Sequence, residues 1–375
     1  MNFKQDENHE QLIEMYREFA ENEVKPIAKE IDESMRFPEE NAAKMAEMGL
    51  LGLPFSSDFG GSEQSSIEVL LVAQELGQAL DDGVFTSSTV MAGSLIDQLG
   101  SHDQKKHWLA SLATGEKQAA LAAYEAGARY DWHLTDTRAE LTPEGWVLNG
   151  RKTMVFQGSS ADLFLVVART SGTTRDTDGL SVFMLPSNTP GLVIEAFDTL
   201  DNRRAAHLTL QNLKLSEDQL LGLPGHAFIA VEKSIDRGIA ALCAEAVGAV
   251  EILLAMTVIH LKTRQQFGSP LAKFQVLQHR IANMAMDLEQ LKSMACVAAM
   301  ALNSSDTAQR KKLISAAKVL TSQKGREIGL AAIQLHGAMG MTEECRVGHY
   351  AKRLMVIGQS LGDAHWHLHR MTQLQ

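Results

Sequence analysis

The hydropathy pattern of this chain changes period twice, near residue 119 and again near 223, and that order constrains the fold more than any single motif. Before 119, apolar residues recur at helical spacing. Leu12, Met15, Phe19 and Val24 form one series, which Pro26 interrupts. Phe37-Pro38-Glu39-Glu40 opens a second helix that runs through Ala42, Met45 and Met48 to Gly49. Phe59-Gly60-Gly61 reads as a turn, and 65–80 and 84–99 as two further helices, with Gly100 as a stop. From 119 to 223, short apolar runs alternate with Gly, Pro, Asn and Asp. The runs 146–150, 163–169, 180–185, 192–196 and 207–211 predict strands of an antiparallel β domain. Helical periodicity returns from about 225 to the end. The expectation is an α+β chain, with a helical domain over 1–118, a β domain over 119–223 and a helical domain over 224–375. A length of 375 residues suits two or three such domains.

Charge and residue usage exclude several function classes. The net charge of −11 argues against a nucleic-acid partner, because neutralising phosphates needs clustered Lys and Arg. The most apolar stretch, 238–261, is broken by Glu245 and Glu251 and reads as a buried helix, so no membrane insertion is expected. Glu245 is expected to pack or pair within that helix. The first ten residues carry no apolar run of the kind a signal peptide needs. Cys243, Cys296 and Cys345 are far apart and odd in number, which fits a reducing, cytoplasmic compartment. His365 and His369 share a helical face, but no third ligand stands at a suitable spacing, so no metal site is expected. No Gly-x-Gly-x-x-Gly follows a strand, which leaves a Rossmann domain unsupported.

Five local motifs remain. Met45 to Pro54 is followed by Phe59-Gly60-Gly61. Tyr124-Glu125-Ala126-Gly127-Ala128-Arg129-Tyr130-Asp131 forms a loop, and Asn149-Gly150-Arg151-Lys152 reads as a turn. Arg264-Gln265-Gln266-Phe267-Gly268 follows the long apolar helix and precedes Phe274-Gln275. Gln334 is spaced from Gly337 and Gly340 as Gln-x-x-Gly-x-x-Gly. In this order the motifs resemble the acyl-CoA dehydrogenase family across essentially the whole chain. The resemblance implies an N-terminal helical domain, a middle β domain and a C-terminal four-helix bundle, assembled as a tetramer. It implies FAD as cofactor, an acyl-CoA substrate, and an electron-transferring flavoprotein as electron acceptor. The implied reaction is α,β-dehydrogenation, in which a carboxylate takes the α proton and the flavin takes the hydride.

Residue by residue, the resemblance gives Arg264 the FAD pyrophosphate, whose oxygens suit a planar guanidinium fork. Phe267 would pack under the adenosine half, with Phe274 close by, and Gln275 and Gln334 would donate hydrogen bonds. Gly337 and Gly340 would let backbone approach the phosphates. Ala123 and Tyr124, with Val155 and Phe156, stand where the family lines the flavin ring. Tyr124 and Phe156 replace hydroxyl residues there, and Arg129-Tyr130 replaces a Gly-Ser pair. Tyr130 and Arg237 would touch substrate. The family's loop glutamate falls on Leu361, which cannot accept a proton, and Asp363 falls near the FAD. Some members carry the base on the helix that opens the C-terminal domain, where this chain has Asp236-Arg237. Counting back from Arg264 and Gly248 places that base two residues nearer Gly238. Asp236 is therefore either the base or a first-turn carboxylate favoured by the helix dipole. These departures are similar to a branch that includes steroid side-chain and pimeloyl-CoA-like dehydrogenase small subunits. An enzyme in a homo- or heterotetramer is the first expectation, and a non-catalytic partner of a sister chain is the second.

Overall fold

A computed structural model describes residues 14–18, 22 and 39–374. Leu12, Phe19, Val24, Pro26, Phe37, Pro38 and the first ten residues lie outside the described residues. The chain divides into two compact units. One holds Ser34–Ser65 with Asp82–Gly238, and the other holds Met1–Glu33, Ser66–Asp81 and Ile239–Gln375.

The first unit carries helix α1 (Glu39–Glu47) and an eight-stranded sheet. Its strands are β1 (Ala119–Ala122), β2 (Arg138–Thr142), β3 (Gly145–Phe156), β4 (Leu163–Arg169), β5 (Leu180–Pro186), β6 (Leu192–Asp198), β7 (Arg204–Leu215) and β8 (Leu220–Leu221). They lie in the order β6-β7-β3-β2-β4-β5-β8, with β1 paired to β4. Most neighbours are antiparallel, as expected, but β4 pairs in parallel with both β1 and β2. The long 123–137 connection returns the chain to the same end of the sheet, so β1 and β2 run the same way. Every side chain of β4 is buried, while β6 alternates between half-buried and exposed along most of its length. That contrast explains why 163–169 reads as an unbroken apolar run and 192–196 does not.

Two sequence expectations change here. The Asn149-Gly150-Arg151-Lys152 segment is no turn, because it lies inside β3, where pairing with β7 shifts register between Leu148 and Gly150. Asn212 on β7 takes up the irregularity at φ 49° and donates its N–H to the Asn149 side chain at 2.8 Å. The helix expected over 84–99 is split into a buried π-helix, Phe85–Gly93, and α2 (Ser94–Leu99). Its Ser and Thr hydroxyls bond backbone groups, as Ser87 does with the Gly83 carbonyl at 3.1 Å, and so compete with regular α-helical pairing. The chain then stops at Gly100, which is extended, and α3 (His102–Ala113) starts on a Ser101 capping box.

The second unit is helical. Its elements are α4 (Ser66–Ala79), most of α5 (Phe228–Thr263), the short strands β9 (Gln265–Gln266) and β10 (Ser269–Pro270), α6 (Gln275–Ala301), α7 (Thr307–His336), α8 (Arg346–Gln359) and α9 (Ala364–Thr372). By length and composition α5 could cross a membrane, yet 72% of its most apolar window is buried against protein, which marks it as a core helix. Helices α4 and α5 touch backbone to backbone. A Cβ at Gly248 would stand 1.9 Å from the Gln74 carbonyl oxygen, and one at Gly77 would stand 2.2 Å from that of Glu245. Beside this crossing Glu75 is buried, and burial, helped by Glu251, pushes its carboxyl up to about 7 against the pull of Arg17.

Gly248→Ala should destabilise the protein by about 3 kcal/mol or more, measured by urea unfolding, because the clashing atom is main chain. Glu75 gives a pH-dependent test. Its folded-state value is raised, so the stability it provides is complete below the ordinary value of 4.5 and is lost as pH rises through about 7. Glu75→Gln should therefore gain up to about 3 kcal/mol on wild type between about pH 5 and about pH 8.

Candidate active site

In the sheet unit, the loop after β1 is held by buried charge. Glu125 Oε1 accepts from Lys152 Nζ at 2.6 Å and from the Thr137 N–H at 3.1 Å, while Oε2 accepts from the Asp136 N–H at 2.8 Å. Lys152 is fully buried, and burial pulls its ammonium down against the raising effect of Glu125. Burial raises the Glu125 carboxyl, but Lys152 and the hydrogen bonds outweigh it and the net shift is downward. The Tyr124 carbonyl accepts from the Thr153 N–H at 2.8 Å, which fixes Tyr124, half-buried, beside the second bulge of β3. At that bulge Met154 adopts φ 52° and Gln157 φ 58°. The resulting strand end sends Val155 into the core and leaves Phe156 half-buried. Ala123 and Val155 are therefore spent on packing, and what they can offer a ligand is main chain. Tyr130 is half-buried on the same loop, next to Arg129 at φ 50°.

Asp236 lies more than two turns into α5, so the dipole of the helix start at Phe228 does not account for it. It is fully buried, and Arg237 beside it is half-buried. Helix α5 is continuous, so no bulge absorbs the two-residue offset between Asp236 and Gly238.

In the helical unit, the Arg264, Gln275 and Gln334 side chains are exposed, and none makes a hydrogen bond or ion pair to another described residue. Phe267, at φ 53°, is 90% exposed at the tip of the β9–β10 hairpin and meets half-buried Phe274 edge-on at 6.0 Å. Gly337 ends α7 at φ 65° and ψ −144°, a conformation open to glycine, and the space where a Cβ would stand is empty. Gly340 differs, because it is buried, and a Cβ there would sit 3.0 Å from the Ile333 carbonyl. Its small size serves the helix end, whereas that of Gly337 leaves a surface a ligand can approach. His260 and His336 stack at 4.3 Å at the ends of α5 and α7.

The turn carrying Leu361 is closed. Lys318, fully buried and pushed by burial down to about 8, donates to the carbonyls of Gly362 at 2.8 Å and Gly358 at 3.3 Å. His367 is buried, driven by burial down to about 2, and bonds the Leu361 carbonyl at 3.2 Å and Ser315 Oγ at 3.1 Å. Leu361 itself is buried at φ 55°. Asp363 caps α9 by accepting from the Trp366 N–H at 2.8 Å. His365 and His369 are exposed, and Arg370 lies over the Trp366 ring. Glu245 pairs with Arg353 through two hydrogen bonds of 2.6 and 2.9 Å, both side chains being buried.

Sequence profiles of the acyl-CoA dehydrogenase N-terminal, middle and C-terminal domains match residues 6–116, 120–213 and 228–373. The chain belongs to the acyl-CoA dehydrogenase family. It is 33% identical over 354 residues to a short-chain-specific acyl-CoA dehydrogenase of Clostridium acetobutylicum, covering 92% of this chain and 91% of that one. Butyryl-CoA dehydrogenase from Megasphaera elsdenii superposes with a TM-score of 0.92 at 25% identity, covering 100% of this chain and 99% of the other. The FAD complex of PigA superposes with a TM-score of 0.92 at 26% identity, covering 100% and 98%. The family makes this chain an oxidoreductase of the acyl-CoA dehydrogenase class, and tetrameric flavoproteins are typical of that family.

The donor set fits FAD. An exposed guanidinium and two exposed carboxamides that make no side-chain hydrogen bond to another described residue, with an open glycine turn in the same unit, suit a diphosphate and its adenosine. Sequence reading missed the residues that hold the frame: Lys152, Arg169, Lys318 and His367. The signal was available for Lys152 and Arg169, since each ends or interrupts an otherwise inward-facing strand pattern. Arg353→Met should strand Glu245 and cost about 3–5 kcal/mol in a urea melt, whereas Glu245→Gln combined with Arg353→Met should cost much less.

Proposed function

We propose that this chain performs FAD-dependent α,β-dehydrogenation of an acyl-CoA thioester, as a subunit of a homo- or heterotetramer that passes electrons to an electron-transferring flavoprotein. The observation that carries the reading is the exposed set Arg264, Gln275 and Gln334, whose side chains make no hydrogen bond to another described residue, together with the open turn at Gly337. Arg264 neutralises the FAD pyrophosphate with its planar fork, and the two glutamines orient the cofactor. Phe267 and Phe274 give the adenosine an apolar face. Gly337 admits backbone to the phosphates and Gly340 keeps the turn compact, while Asp363, at the start of α9 near Lys318, is a separate FAD contact. FAD, when bound, supplies the hydride acceptor. Main chain at Ala123 and Val155, with the rings of Tyr124 and Phe156, borders the flavin and excludes water. Tyr130 and Arg237 hold the thioester. Asp236 takes the α proton once its side chain is uncovered. A reducing, cytoplasmic setting suits the three free thiols.

A second reading has its own observation. Asp236 is fully buried and Leu361 replaces the loop carboxylate, which favours a non-catalytic subunit that holds FAD for a sister chain. Purified protein should carry about one FAD per chain and bleach its visible band on addition of an acyl-CoA. Asp236→Asn should then slow bleaching about a hundredfold or more. Bound FAD with no bleaching in any acyl-CoA tested would give the second reading the field.

A further inference from the structure

The 124–137 connection is tied down by more buried charge than a surface loop requires. Arg169, 1% exposed at the end of β4, donates to the carbonyls of His133 at 3.1 Å, Thr135 at 3.4 Å, Ser171 at 3.4 Å, Thr174 at 3.2 Å, Asp176 at 2.9 Å and Asp178 at 3.0 Å. Trp132, also buried, stacks on Phe228 at 5.1 Å. Glu125 does the complementary work on N–H groups, holding Asp136 and Thr137 from eleven and twelve residues away. Lys152 joins it at 2.6 Å and reaches back to the Ala123 carbonyl at 3.4 Å. One carboxylate therefore grips both ends of the loop, while Ala126, Gly127 and Arg129 stay exposed at its tip. At Gly150, a Cβ would stand 2.3 Å from Thr137 Oγ1, so β3 is also shaped to let the second end close in.

We infer that Glu125 is a positioning residue. Its carboxylate, charged and buried against Lys152, sets the shape of the 126–136 loop and through it the affinity for FAD. The inference rests on the FAD reading above. A carboxylate accepts three bonds here, whereas an amide in its place turns one donor toward a main-chain N–H and leaves the buried Lys152 charge without a counter-charge. The loop then samples open shapes, although the sheet beneath it is intact.

The test compares wild type, Glu125→Gln and Glu125→Asp, the last of which keeps the charge but draws it back by one methylene. Hydrogen exchange reads the loop, and titration of apoprotein with FAD reads the cofactor. The expected result in both variants is faster exchange at Asp136 and Thr137 with unchanged protection in β4 and β5. FAD should dissociate about tenfold more readily or worse, with a shifted visible flavin band. Unchanged exchange at Asp136 and Thr137 would overturn the clamp. Faster exchange with unchanged FAD affinity would overturn its link to the cofactor. If Glu125→Gln does not fold, Glu125→Asp decides by the same two readings. Wild type that takes up no FAD would sink the FAD reading, and with it the cofactor half of the inference, while exchange still judges the clamp.

Discussion

Backbone contact between α4 and α5 is the constraint on which the helical unit depends. Side chains normally keep helix axes 8–10 Å apart. Here Gly77 and Gly248 remove them on both sides, and each helix packs its bare face on a carbonyl of the other. Such a crossing has no slack, so the residues around it are held to narrow tolerances. Glu245 supplies the carbonyl that Gly77 meets, and its side chain is claimed by Arg353 on α8. Gln74 supplies the carbonyl that Gly248 meets, and its amide bonds Glu251 on α5 at 3.1 Å. Backbone contact and side-chain pairing thus come from the same residues, and α8 is registered against α5 through that link.

Buried cations carry the same logic into the loops. Lys152, Arg169 and Lys318 lie in low-dielectric surroundings, where an unpaired charge would be prohibitive. Lys152 has a full carboxylate partner. Arg169 and Lys318 instead collect main-chain carbonyls, which a loop or a helix end has left over. A cation of this kind costs desolvation and in exchange specifies a single arrangement for several peptide groups at once. Apolar packing cannot do that, because it is non-directional. Arg169 holds 133–135 and 171–178, which lie outside helix and strand, and Lys318 holds the last turn of α8 and the turn that follows it.

The architecture was legible because local periodicity and burial agree. Strand and helix periods switch where the elements switch, and 163–169 is a strand to the residue because all its side chains face protein. The exposure of the polar set in the helical unit was legible for a related reason. Arg264, Gln275 and Gln334 sit in helix ends and a hairpin, where a motif is local in sequence. What could not be read was anything set by partners distant in the chain. Asn149-Gly150 has the composition of a turn, but a long partner strand with its own left-handed residue, Asn212, keeps it in the ladder. Gly340 and Gly337 look alike in sequence, and only the packing of Ile333 tells them apart. Asp236 reads as either a base or a helix-start carboxylate, and only the helix start at Phe228 removes the second reading.

The turn at Leu361 is over-determined by its surroundings. A non-glycine residue at φ 55° is strained, and the strain persists only where surroundings impose it. Here they do so from every side. Lys318 holds the carbonyls before and after it, His367 holds its own carbonyl, and Gly362 has no room for a Cβ, which would stand 2.6 Å from His367 Nε2. His367 stays neutral across ordinary pH because burial holds it at about 2, so the turn does not switch with pH in that range. The turn is therefore fixed from several sides and closed over an apolar side chain. Its geometry serves the helix end and the α9 cap, and the leucine side chain at its centre can accept no proton.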